Sequence, residues 1–178
     1  MNFIPASRPL VPICIRDCGE KGWGVFSDGF IDAGAHVFTL TGQKVDNETL
    51  CELVDSGRLR NDDPLHIGEG VFLILDSLSN LFNHSCDPNV GMRDEGVLFA
   101  LRGILPAEEL CYDYSTTVPP GWSSADWSME CQCGSPICRG ILRDVLSLPV
   151  ERLEFYQQKG ALTDYVMRAL QIGVGQNG

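Results

Sequence analysis

The 178 residues predict a mainly β fold with short helices, closed by a helical C-terminus. Three observations carry that prediction. Apolar runs of strand length alternate with glycine and proline turns through most of the chain. Three cysteines crowd a turn-rich segment around residue 135. Beyond it the apolar period lengthens to that of a helix.

In chain order, Val11 to Ile15, Gly24 to Phe26 and Ala35 to Leu40 are apolar runs each followed by turn residues, as short strands require. Asn47 is placed to cap a helix over Glu48 to Ser56, closed by Gly57, with Leu50, Leu53 and Val54 on one face. Arg58 to Glu69 is polar and marked by Pro64 and Gly68, and is expected to be irregular. Val71 to Leu75 and Val97 to Leu101 are strand candidates punctuated by Gly70 and Gly96, and Leu110 to Tyr114 is another after the turn at Pro106. Val118 to Ser128 holds two prolines, a glycine, three serines and two tryptophans, the composition of a linker or lid. Val150 to Gln158 and then Leu162, Tyr165, Val166, Ala169 and Leu170 give two helices separated by Gly160.

Composition narrows the function. The 24 acidic and 13 basic side chains leave a net charge of -11, which opposes a surface for nucleic-acid phosphates and favours basic partners. The stretch Met1 to Ile15 lacks a basic start and an unbroken apolar run, so no signal peptide is expected, and no window is long enough to span a membrane. The expected setting is intracellular, cytoplasmic or nuclear. Thiols stay reduced there, so clustered cysteines point to metal before disulfides.

Cys131, Cys133 and Cys138 form C-x-C-x4-C, with Gly134 and Pro136 turning the chain between them. Three thiolates at this spacing can share a tetrahedral zinc ion and need a fourth ligand from elsewhere. Cys86 and His84, both in Asn83-His84-Ser85-Cys86-Asp87-Pro88-Asn89, are the candidates. Gly22-Trp23-Gly24 lets backbone approach a ligand while a ring covers it, although a plain β-turn has the same pattern. In Glu109-Leu110-Cys111-Tyr112-Asp113-Tyr114 the two tyrosines lie two apart and would share one face of a strand. Cys14, Cys18, Cys51 and Cys111 have ordinary core readings, and His36 and His66 stand alone.

Taken in chain order, Gly22-Trp23-Gly24-Val25-Phe26, the Asn83 to Asn89 stretch, Glu109-Leu110 with Asp113-Tyr114, and the three-cysteine tail resemble a SET-domain protein lysine methyltransferase with a zinc-binding post-SET segment. The resemblance implies the SET (β-clip) fold, with a pseudoknot that tucks the Asp113-Tyr114 strand under the loop carrying Asn83 to Cys86. It implies S-adenosylmethionine as methyl donor, held by Gly22, Trp23, Gly24, Asn83 and His84. It places Tyr114 nearest the transferring methyl with Tyr112 beside the amine, and it assigns zinc to Cys86, Cys131, Cys133 and Cys138.

The resemblance further implies residues 1–116 as the SET core, 117–140 as lid and zinc segment and 141–178 as a helical extension. The expected acceptor is a basic, lysine-containing protein or peptide, with histones among the candidates and neither nucleic acid nor membrane as direct partner. A hydroxyl at Tyr112 occupies the room of further methyl groups, so mono- or dimethylation is expected. The sequence departs from the family pattern at Leu40-Thr41-Gly42-Gln43, where a tyrosine commonly precedes the glycine, and at Asn80, where an arginine often stands. The missing channel aromatic is either absent or supplied by the Trp122 to Trp127 lid. A zinc-stabilised SET-like binding module without turnover is the alternative function.

Overall fold

The computed structural model describes residues 9–60, 64–122 and 127–175. Strand β1 (Ile13–Asp17) pairs antiparallel with β2 (Trp23–Ser27), Ile13 opposite Ser27 and Asp17 opposite Trp23. β1 begins later than the apolar run suggests, because Pro12 has no N–H to give a ladder. Its carbonyl instead accepts from the Asp28 amide at 3.0 Å.

After β3 (His36–Thr39) come β4 (Gly42–Asp46), helix α1 (Asn47–Asp55), β5 (Leu65–Gly68) and β6 (Val71–Leu75). Then follow β7 (Val90–Arg93) and β8 (Val97–Ala100). Two antiparallel sheets result, one in the order β3-β8-β7 and the other β4-β6-β5. Three strands of these two sheets go unseen by the sequence pattern. β4 is an edge strand burying Val45 alone, so it shows no alternation. β5 lies within the segment expected to be irregular, and the part of that segment at 61–63 is outside the described residues. β7 contains Gly91, where a Cβ would lie 2.8 Å from that of Ala161, so close packing forbids a side chain there. The α1 cap is Asp46 rather than Asn47, its carboxylate accepting from the Thr49 amide at 2.8 Å.

The segment expected to be a strand at Leu110 to Tyr114 is instead threaded through the fold by single bridges. Phe26 pairs antiparallel with Glu109 and His84 pairs parallel with Tyr112. The Leu110 amide donates to the Val25 carbonyl at 2.7 Å, and the Tyr112 and Ser85 amides donate to Asn83 and Tyr112 carbonyls at 3.2 Å each. Leu110 is fully buried among Val25, Phe38, Phe82 and Leu98, an apolar side chain worth about 1.5–3 kcal/mol to bury. That burial fixes the register of everything up to Tyr114, where a 3₁₀ turn (Tyr114–Thr117) starts.

Short strands β9 (Met129–Glu130) and β10 (Ile141–Leu142) pair antiparallel and bracket the cysteine segment, the Cys131 amide donating to the Gly140 carbonyl at 2.8 Å. Helix α2 (Val150–Lys159) stops at Gly160, whose φ of 62° is the left-handed cap glycine tolerates. Helix α3 (Asp164–Gly175) follows, while Leu162 lies just before it and is buried all the same. Tyr156, Leu162 and Val166 form a second core with Phe99 and Leu101, so the C-terminal extension packs on the β7–β8 side.

Candidate functional site

One wall of the site is the β1–β2 turn. A 3₁₀ turn (Gly19–Lys21) leads into Gly22 at φ 77°, a backbone state suited to glycine, and the Gly22 amide closes onto the Gly19 carbonyl at 2.9 Å. Behind it sits Glu109. Its carboxylate accepts from Lys21 Nζ at 2.6 Å and Asn83 Nδ2 at 2.8 Å, and Cys18 Sγ lies at 3.5 Å. Asn83 Nδ2 also donates to the Trp23 carbonyl at 3.1 Å. Gly24 is the point of closest approach, since a Cβ there would fall 2.7 Å from both Cys18 Sγ and Glu109 Oε1 and 3.0 Å from Asn83 Nδ2. Burial pushes the Glu109 carboxyl up, but the bonds from Lys21 and Asn83 outweigh it and hold the group below its ordinary range.

The tyrosines meet at the next layer. Tyr112 and Tyr114 have ring centroids 4.8 Å apart, brought together by the threaded segment and the 3₁₀ turn rather than by one strand face. The Tyr114 hydroxyl donates to the Phe82 carbonyl at 3.0 Å, and its backbone amide donates to His84 Nδ1 at 3.2 Å. A phenol whose proton is directed at a carbonyl presents its oxygen lone pairs as acceptors. Burial drives the Tyr112 phenol well above its usual range, so it stays protonated. His84 is buried, and burial lowers its pKa to about 4 against the opposing pull of Asp113. The neutral ring props the Tyr114 amide on one side and lies 3.3 Å from Cys86 Sγ on the other.

Cys86 Sγ lies 3.8 Å from Cys131 Sγ, and one ligand atom each from His84, Cys86, Cys131 and Cys133 all fall within 4.8 Å of one another. Cys138, more exposed, reaches the Cys131 carbonyl at 3.5 Å and adjoins Cys131 and Cys133. Burial raises the Cys133 thiol, but the backbone amides of Cys86 and Ser135 and the neighbouring thiols outweigh it, bringing it down to about 7. Three to four soft sulfur donors, one already close to the thiolate form, suit zinc. His84 and Cys138 compete for the fourth place.

Asp113 ties these parts together. It is 1% exposed, takes a bidentate pair from Arg139 at 2.7 and 2.6 Å, and accepts from the Tyr156 hydroxyl at 3.1 Å. The Arg139 amide in turn points to Cys86 Sγ at 3.3 Å. Core, cysteine segment and α2 thus meet on one carboxylate. Sequence reasoning missed Arg139, Tyr156 and the charge pair of Lys21 with Glu109; the only available signal was Arg139 standing next to Cys138.

Two cavities flank this layer. The larger, about 420 Å³, is lined by Tyr112, His66, Phe72, Trp122 and Trp127 among others, and the smaller, about 190 Å³, lies against His84, Cys131 and Cys133. Lys21, Asn83, Tyr114 and Met129 border both. Leu40 is in the core at 3% exposure, away from either. The lid tryptophans stand on the larger cavity instead, and residues 123–126 between them are outside the described residues.

Residues 22–115 match the family model of the SET domain. Histone-lysine N-methyltransferase TRX1 of Oryza sativa subsp. japonica is 40% identical over 95 residues, 46% of this chain and 9% of that protein. Histone-lysine N-methyltransferase ash1 of Drosophila melanogaster is 31% identical over 137 residues, 69% of this chain and 6% of its own length. The chain therefore spans under a tenth of these two relatives. Among solved structures, KRYPTONITE in complex with mCHG DNA and SAH superposes with a TM-score of 0.57 at 24% identity, over 76% of this chain and 30% of that one. Among the described residues no helix is long and apolar enough to cross a membrane.

Proposed function

The chain belongs to the SET-domain family, and on that premise we propose that it transfers a methyl group from S-adenosylmethionine to the side-chain amine of a protein lysine. The observation that carries this reading is the pair of cavities meeting across Tyr114 and Asn83, a donor side against the cysteine cluster and an acceptor side under the lid. When bound, S-adenosylmethionine supplies a methyl group on a cationic sulfonium. We assign the donor wall to Gly22, Trp23, Gly24, Asn83 and His84: Asn83 and His84 line the smaller cavity, Trp23 borders the larger, and Gly24 stands directly behind Asn83, with His84 acting through its position rather than through ring nitrogens already turned to Tyr114 and Cys86.

A lysine ammonium has no lone pair, so the acceptor must shed its proton to solvent before attack. Burial behind the lid and the aromatic walls favours the neutral amine. The Tyr114 oxygen, oriented by its bond to Phe82, accepts from the amine and aligns nitrogen, carbon and sulfur for in-line transfer: the N–C bond forms as the S–C bond breaks. Tyr112 stays a protonated phenol and takes up room beside the amine, which supports mono- or dimethylation. Trp122 and Trp127 stand in for the channel aromatic that Leu40 does not supply. Cys86, Cys131, Cys133 and Cys138, with His84 as the competing ligand, would hold a zinc ion, which would pin the 117–140 segment to the 1–116 core. Within the proposed extension, helix α2 braces the core through Tyr156, whose hydroxyl bonds Asp113.

The acceptor in this reading is a basic protein segment, histone tails foremost because the relatives named above are histone-lysine N-methyltransferases. The corresponding setting is nuclear. DNA belongs to the KRYPTONITE complex, and here the net charge of -11 opposes a phosphate contact.

Mass spectrometry of histones and of a mixed lysine-rich protein pool, incubated with the protein and S-adenosylmethionine, tests the reading. Mono- and dimethyl lysine should accumulate, Tyr114→Phe should slow transfer by about 10²-fold, and Tyr112→Phe should shift products toward trimethyl lysine. Donor binding with no incorporation into any acceptor would establish the binding module instead.

A further inference from the structure

His66 lies on β5, 7% exposed, on the wall of the larger cavity. Its imidazole stacks on Phe72 of β6 with centroids 4.6 Å apart and planes 15° from parallel. Trp122 and Tyr165 of α3 tilt against it at 5.0 and 4.8 Å. Among the described residues, neither ring nitrogen has a hydrogen-bond partner. The Gly68 backbone is near enough to oppose slightly the downward pKa shift that burial imposes, without making a bond of ordinary geometry.

That combination is chemically wasteful unless something else arrives. A phenylalanine would stack equally well among three aromatic neighbours; what the imidazole adds is two hydrogen-bonding atoms, and buried polar atoms are almost always paired. The ring borders a cavity whose 420 Å³ is in the range that accepts drug-sized ligands, more than a single lysine side chain requires. Burial keeps the imidazole neutral, with one nitrogen donating and the other accepting. Its match is a neutral group that also does both, a carboxamide or a hydroxyl.

Resting on the lysine-methylation reading, we infer that His66 is a specificity-determining residue that hydrogen-bonds an amide or hydroxyl side chain flanking the target lysine of the acceptor. An acceptor with glutamine, asparagine, serine or threonine at that flanking position pairs the ring. An apolar side chain of the same size leaves both nitrogens buried and unpaired, which is why sites of this kind reject the analogue.

The test is a lysine-centred peptide array in which each flanking position carries isosteric pairs, threonine against valine and glutamine against methionine, read twice: once for binding of the intact protein and once for methyl incorporation. At one position the wild type should bind the polar member about fivefold to tenfold better. His66→Phe should bring that ratio close to one, and His66→Gln, which keeps a donor and an acceptor, should preserve part of it. If thermal melting shows that His66→Phe does not fold, His66→Met takes its place. No polar preference in the wild type, or a preference that survives in His66→Phe, overturns the inference. A His66-dependent binding preference without any methyl incorporation sustains the inference and defeats the methyl-transfer reading.

Discussion

The two sides of the site are held by opposite means. On the side proposed for the donor, Lys21, Asn83, Glu109 and Cys18 satisfy one another around Gly24, so the backbone there is fixed before any ligand arrives. On the side proposed for the acceptor, Phe72, Trp122 and Tyr165 hold His66 by ring contact and leave its polar atoms buried and unpaired. The contrast fits the two tasks. A donor that is the same molecule at every turnover suits a prepaid polar frame, whereas discrimination among peptides comes from groups that stay unpaired until the right one binds.

The hardest way to break the contrast is to remove what both sides share. Asp113→Ala leaves Arg139 buried without its partner and strips Tyr156 of its acceptor. Losing one member of such a pair costs about 3–5 kcal/mol, so chemical denaturation should show a drop of that size, with donor and acceptor binding lost together. A loss under about 1 kcal/mol would mean that the cysteine segment and α2 hold without this carboxylate.

Gly24→Ala should separate the two sides. The added methyl wedges between Asn83 and Glu109, both already bonded in place, so titration calorimetry should find donor binding weakened by about tenfold or more. Peptide preference on the acceptor side should not move. Loss of both would show that the walls are mechanically one.

The same division explains what was legible in the sequence. Short motifs with fixed internal spacing survive translation into space: Trp23 and Gly24 lie against Asn83, Cys86 lies against Cys131 and Cys133, and the tail helices follow from their apolar period. What escaped depends on partners distant in the chain. β4 is visible only as the polar edge of β6, and Gly91 carries no strand signal until Ala161 is set against it. Arg139 finds Asp113 across 26 positions, and nothing local announces the match. His66, isolated in the sequence, gains its setting from β6, the lid and α3 at once.

The smallest expected effect follows from Glu109 being ionised and paired. Its folded pKa lies below the ordinary 4.5, so its contribution to stability is fully present above that value and disappears as pH falls through the lower, folded one. Partial exposure limits the contribution to about 1 kcal/mol or less. Melting temperatures of the wild type and Glu109→Gln should therefore differ near pH 6 and converge once the pH is well below 4.5. A gap that persisted in acid would have to come from packing against Gly24 and Asn83 rather than from charge. The wall proposed for the donor would then be held much as the other is, by shape, and the contrast between them would shrink to the unpaired nitrogens of His66.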